Sequence, residues 1–264
     1  MDVPPALLPL CYGYARIWEL KRVRTSRNAT SLSVCYANSP KLSNRSQLET
    51  QMVSELKIMS RPRIIQPGQS YTFSKYFDLP FSPEDILAEL GCTYERERLQ
   101  LPSSEAVDNK THQLQQIIER NLRRVKLLSE DARKQAIIAP ILLEVCEIAQ
   151  TQLNIEYAIN VSDQLKGNLD YYIDKGNGLL VIEAKQADLS RGFTQLAVEL
   201  IALDQWINSD KSLLYGAVTT GEDWRFTTYH RQEKHITEDL KLYRVPEELP
   251  ELIEILVGIL SNSQ

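Results

Sequence analysis

Cysteine is sparse in this 264-residue chain. Cys11, Cys35, Cys92 and Cys146 are scattered, with no short paired spacing, which argues against a zinc ribbon and gives no support to a disulfide framework. Cys146 falls in an apolar helical pattern and reads as a small core residue. Histidine is rarer still. His112, His230 and His235 have no carboxylate or cysteine at ligand spacing, so they read as surface or capping residues. No apolar run reaches the ~18 residues of a membrane span. The first eighteen residues lack a basic start, and Pro4, Pro5 and Pro9 interrupt their apolar stretch, so they do not read as a signal peptide. The expectation is a cytoplasmic protein with no membrane partner. There is no internal repeat, and no recognisable DNA-reading module.

What is present is ordinary for a globular chain: 43% hydrophobic and 25% charged residues. The length allows one large domain or two small ones. The net charge of −5 hides an asymmetry. Residues 1–65 carry ten Lys/Arg against four Asp/Glu, and the remainder carries twenty against thirty-one. The halves are therefore +6 and −11. An acidic domain is not what general nucleic-acid affinity favours.

Residues 1–68 are rich in Ser, Asn and Arg and show no sustained period. They read either as a disordered extension or as a stretch upstream of a true start at Met52 or Met59. Residues 69–264 read as the folded domain. Tyr71–Phe77 suggests a short strand or a lead-in segment. Ser82-Pro83-Glu84-Asp85 has the signature of a helix start and Gly91 that of its end. Residues 95–102 alternate loosely. Helical stretches follow over 108–127 and 129–152, the second opened by Ser129, with a kink or break expected at Pro140. Arg120, Arg123, Arg124 and Lys126 on the first read as a solvated basic face. Strands are expected over 155–161, 168–173 and 179–185, the last two joined by a hairpin turn. A helix over 190–208, strands over 213–219 and 224–229, and a helix over 250–260 complete the chain. Trp206 and Trp224 read as core or rim aromatics. The fold class is α/β, with a central mixed sheet flanked by helices.

One segment stands out. Leu179 to Ile182 is a continuous apolar run, as in a strand covered on both faces, and it ends in Glu183-Ala184-Lys185. Strand alternation puts Glu183 and Lys185 on one face. The neighbouring strand carries Asp170, and cross-strand partners in a hairpin sit about 5 Å apart. Two carboxylates and a lysine can therefore converge. Phosphodiester hydrolysis uses such a set. Carboxylates hold a hard cation, and a lysine orients or deprotonates the attacking water or stabilises the developing charge.

Asp170, twelve residues, then Glu183-Ala184-Lys185 resembles the PD-(D/E)XK, or restriction endonuclease-like, nuclease superfamily. The resemblance covers roughly a third of the chain, from about residue 130 to 230. It implies an α-β-β-β-α-β core, here with a helical N-terminal elaboration. It implies Asp170, Glu183, Lys185 and Gln195 as catalytic residues. Metal ligation falls to Asp170 and Glu183 together with Glu144, the match for an acid on the preceding helix. Two positions depart from the pattern. Leu169 stands where the superfamily's name has proline, and Glu199 stands where RecB-like members carry tyrosine. The implied cofactor is Mg²⁺, with Mn²⁺ as substitute, and the implied partner is nucleic acid, expected to be DNA. Arg191, at a helix start six residues after Lys185, is the phosphate-contact candidate. The expected activity is a metal-dependent DNA endonuclease. Two alternatives stand beside it: a catalytically silent protein of the same fold with a binding or regulatory role, and a subunit that acts only as a homodimer or with a partner.

Overall fold

A computed structural model describes residues 62–104, 109–176 and 178–261. Expectations for residues 1–61, including the alternative starts, lie outside the described residues. So do the first residue of the 108–127 helix and residue 177 in the hairpin turn. Residues 62–68 were assigned to the extension by sequence, but Ile64 and Ile65 are buried. Their backbone N–H groups donate to Glu89 Oε1 and Oε2 at 2.6 and 2.9 Å. The correction has a simple cause: two apolar residues between prolines and glutamines carry no period, so only the tertiary contact reveals them.

Next come α1 (Phe73–Phe77), α2 (Pro83–Glu89) and β1 (Thr93–Glu97). The first is a single helical turn rather than a strand, because Phe73 and Tyr76, three residues apart, bury together. The second is capped as expected by Ser82, whose hydroxyl accepts from the Asp85 N–H at 3.2 Å.

α3 (Asn109–Arg124) leads to α4 (Glu130–Arg133), a π-helical turn (Lys134–Ile138) and α5 (Ala139–Ala149). Ser129 caps α4 through the Ala132 N–H at 3.1 Å. Proline at position 140 has no N–H, so the Ala136 carbonyl loses its helical donor. Asn121 Nδ2 from α3 donates to that carbonyl at 2.8 Å. The π turn widens the chain just ahead of the proline, and the helix continues instead of breaking.

The sheet follows: β2 (Asn154–Ser162), β3 (Leu165–Lys175), β4 (Gly178–Ala184), then α6 (Leu189–Trp206), β5 (Leu213–Thr219), β6 (Asp223–His230), β7 (His235–Asp239), β8 (Tyr243–Arg244) and α7 (Leu249–Ser261). The strand order is β1-β7-β6-β5-β4-β3-β2, with β8 paired to β6. The β4–β5 and β1–β7 pairs are parallel and the others antiparallel. The expected α/β class with a mixed central sheet is observed, with eight strands. Strands β1 and β7 were not foreseen. Their sequences, TYERE and HITED, are polar. Strand β1 is an exposed charged edge. In β7, buried Glu238 is bonded by Arg225 Nη1 at 2.8 Å and the Tyr94 hydroxyl at 2.6 Å, and it pairs with Arg96 Nε at 3.3 Å.

Both sheet faces are covered. One face packs α3, α5 and α7 on Tyr171, Ile173, Ile182 and Ala217. The other packs α1, α2 and α6 on Tyr172, Val181 and Val218. Trp224 is fully buried and Trp206 lies at the rim, 44% exposed. Cys146 is a core residue. Among the described residues no helix is long and apolar enough to cross a membrane.

Candidate active site

The β3–β4 hairpin comes apart where the charges sit. Its ladder runs from Lys175↔Gly178 to Tyr171↔Ile182 and stops. One step further, Asp170 would face Glu183. Instead the Asp170 side chain takes over the ladder bond: its Oδ2 accepts from the Ala184 N–H at 2.9 Å. On the other side, β2 also skips this level. Pairing passes from Ile155↔Tyr171 to Tyr157↔Leu169, and Glu156 between them has φ 55°. A non-glycine residue in that region costs of order 1 kcal/mol, and such strain clusters at functional sites. The splay leaves Asp170 and Glu183 beside each other, with Asp170 Oδ1 and the Glu183 carboxyl turned away from the backbone ladder.

Glu183 is almost wholly enclosed. Its Oε1 accepts from Gln195 Nε2 at 2.6 Å and pairs with Lys185 Nζ at 2.5 Å. Gln195 also donates to Glu199 Oε1 at 2.9 Å. Glu183 Oε2 and Glu199 Oε2 are buried without a partner. Burial, and then the Asp170 charge, push the Glu183 carboxyl up to about 8. Burial and the Glu183 charge likewise hold the Glu199 carboxyl well above the ordinary carboxylate range. For Lys185, burial pulls downward, and the adjacent Glu183 carboxylate outweighs it, so the ammonium is held above the usual lysine range. The expected triad is therefore assembled, and Gln195 belongs to it through Glu183.

The other sheet face supplies a residue that sequence reading missed. Lys134, in the π turn, places Nζ 2.6 Å from Asp170 Oδ1 and 3.2 Å from Glu130 Oε1. Burial lowers the Lys134 pKa, but the Asp170 and Glu130 carboxylates outweigh it and raise it overall. Glu130 lines the mouth of the site with Lys185 and Gln195. In sequence, Glu130 and Lys134 look like an exposed i,i+4 pair, and nothing marks them as internal.

Glu144 is a correction. It was matched to the helix acid, yet it lies ten residues past Lys134, about 15 Å along the helix. Its helix packs there on α7 and α3 rather than on the end of β4. Its Oε1 is buried without a hydrogen-bond partner. The carboxylate from the preceding helix that lines the groove beside Lys185 is Glu130. The apolar stripe that pointed to Glu144 identified the buried face of α5 but not which end of it reaches the charges.

Arg191 stands in the first turn of α6. Asp188 caps that helix through the Arg191 N–H at 3.1 Å and pairs with Arg191 Nε at 3.3 Å. The Arg191 side chain is 58% exposed. A groove of about 510 Å³ runs from Lys185 and Gln195 past Phe77 to Arg191. Helix α6 approaches β4 and β5 closely at Gly192. A Cβ there would lie 2.7 Å from Val218 Cγ2 and 2.8 Å from Lys185 Cγ. The three histidines stay out of the site. The nearest thing to a role is His235, which joins β1 and β7 through Thr93 Oγ1 at 2.7 Å and Glu95 Oε1 at 2.6 Å.

A divalent cation suits the donors present, though only in part. Asp170 and Glu183 are hard oxygen donors, Asp170 is close enough for its charge to raise the Glu183 carboxyl, and Glu183 Oε2 is buried without a hydrogen-bond donor. Among the described residues no group of three Asp, Glu, His or Cys gathers to hold a metal ion. Two carboxylates with the remaining positions left to water and substrate oxygens is the usual arrangement for Mg²⁺. The sequence matches no protein-family model and no curated protein.

Proposed function

We propose that the protein is a Mg²⁺-dependent nuclease of the restriction endonuclease-like kind, acting on DNA as an endonuclease. The observation that carries this reading is the convergence of Asp170, Glu183 and Lys185 at the point where β3 and β4 part. The core order α5-β2-β3-β4-α6-β5 agrees with it. Asp170 and Glu183 would hold the cation. When bound, Mg²⁺ neutralises phosphate charge and lowers the pKa of an attacking water.

The chain's own residues divide the remaining work. Gln195 fixes the Glu183 carboxylate by donating to Oε1. Lys185, held as an ammonium by Glu183, suits stabilisation of developing negative charge better than proton abstraction. Arg191, exposed along the same groove, suits a flanking phosphate. The full-length protein with Mg²⁺ or Mn²⁺ is expected to nick or cut plasmid DNA. Lys185→Ala is expected to lower the rate at least ~100-fold. Wild-type cleavage by that variant would refute the assignment.

A second reading has an observation of its own. Lys134 and Lys185 already sit against Asp170 and Glu183, so each carboxyl has a lysine partner as it stands. That suits a silent protein that keeps the fold for binding or regulation. Calorimetry separates the two. The nuclease reading requires Mg²⁺ or Mn²⁺ binding that is lost in Asp170→Asn and Glu183→Gln.

A further inference from the structure

We propose that Lys134 is an internal counter-ion that competes with the divalent cation for Asp170, and that Glu130 is the seat it moves to when the cation binds. The inference rests on the metal-site reading above and goes beyond it, because the resemblance assigns no role to either residue.

Three observations converge. Lys134 Nζ lies 2.6 Å from Asp170 Oδ1, on the oxygen not already bonded by the Ala184 N–H. A metal ion ligated by that oxygen and an ammonium at that distance cannot share the space, and their charges repel. A second seat is close by. Glu130 Oε1 is 3.2 Å from the same Nζ, and Glu156 Oε1 is 3.8 Å away. Glu130 is 37% exposed and opens on the groove, whereas Lys134 and Asp170 are about 15 and 13% exposed. A small swing of the lysine therefore carries its charge from the interior toward the groove without leaving it unpaired. Lys134 also sits in the π turn, a helix irregularity that recurs at functional sites. With the cation absent, the ammonium spares the buried carboxylates their mutual repulsion. With the cation present, the displaced ammonium stands at the groove mouth, beside a bound phosphate.

The alternative is that Lys134 only braces Asp170, and the two predict opposite signs. Isothermal titration of the full-length protein with MnCl₂ reads the difference. Lys134→Met keeps the length and apolar stem and removes the charge. It is expected to bind Mn²⁺ at least about fivefold more tightly than wild type, the gain expected from removing one unit charge at contact distance even with solvent-like screening. Lys134→Arg is expected to bind no more tightly than wild type. Glu130→Gln is expected to weaken Mn²⁺ binding in the Lys134 background and to have a smaller effect alongside Lys134→Met, since the seat matters only when there is a lysine to seat.

Equal or weaker binding by a Lys134→Met protein with a wild-type circular dichroism spectrum would overturn the inference while leaving the metal site intact. Should Lys134→Met fail to fold, Lys134→Gln takes its place with the same expectation. An equal loss from Glu130→Gln in both backgrounds would make Glu130 a ligand and overturn the seat. No Mn²⁺ binding by wild type or Lys134→Met would overturn the metal-site reading itself, and this inference with it.

Discussion

Glu199 is a wholly buried carboxyl in the site, and its effect on stability depends on pH. It is fully buried on α6, where Gln195 Nε2 donates to its Oε1 at 2.9 Å and the Glu183 carboxyl lies within hydrogen-bonding reach. Its carboxyl and that of Glu183 titrate above their ordinary range, Glu183 at about 8. Raised acid pKa values favour the protonated folded state. Their stabilising effect is therefore present below the unfolded value near 4.5 and is lost as pH rises through the folded values. Glu199→Gln preserves the acceptor for Gln195 and removes the titration. The variant is expected to unfold at about the same urea concentration as wild type at pH 5 and at a higher one at pH 9. Parallel pH dependence of the two proteins would show that Glu199 carries no such penalty. Sequence reading found Glu199 only as the residue standing where tyrosine was expected. Its real signal was position, a carboxylate four residues from Gln195 on a helix whose neighbours are almost all apolar.

At the scale of elements, the site depends on how tightly α6 sits against the sheet. Gly192 lets the first turn of α6 approach Lys185 and Val218 more closely than any side chain would allow. Gly192→Ala must move the Lys185 stem or the helix itself. Under the nuclease reading it is expected to reduce cleavage about 10-fold or more, since small misplacements near the chemistry are costly, while destabilising the fold by only about 1–3 kcal/mol. Parallel cleavage assays and urea titrations check the two effects. Unchanged cleavage would mean that Lys185 does not need this packing. The same scale explains the helix through Pro140. The orphaned Ala136 carbonyl is met by Asn121, which belongs to another helix, so the sequence signal for a break was physically sound and was overridden by a tertiary bond. The hairpin was legible because alternation and turn composition act locally. Its opening at Asp170 was not, because it depends on Glu156 of a third strand.

At the scale of the whole molecule, charge is divided unevenly along the chain. Residues 1–61 carry nine Lys/Arg and four Asp/Glu, so removing them takes the chain from −5 to −10. If the protein binds DNA, that segment supplies much of the positive charge available for phosphates. A protein beginning at residue 62 is then expected to bind duplex DNA more weakly, with a shallower dependence of log affinity on log salt. Fluorescence anisotropy across a salt series measures both. Equal slopes would place the phosphate contacts on the domain itself, with Arg191 the first residue to test.

The sequence by itself determined most of the elements, their order and the triad. Strand alternation, helix caps and turn chemistry are local, and they act wherever those residues are found. Asp170, Glu183 and Lys185 were legible because they follow from a period of two and a short turn. Tertiary structure alone decided what surrounds them. It put Lys134 on Asp170, Glu199 beneath Glu183, and Glu130 rather than Glu144 at the site. Those outcomes depend on which end of a helix meets the end of a strand, a relation between distant segments that no local pattern encodes. The polar strands β1 and β7 were hidden for a related reason. Strand β1 stays exposed at the sheet edge, and the polar residues of β7 are buried by pairing with Arg225 and Tyr94 around a single apolar residue, Ile236.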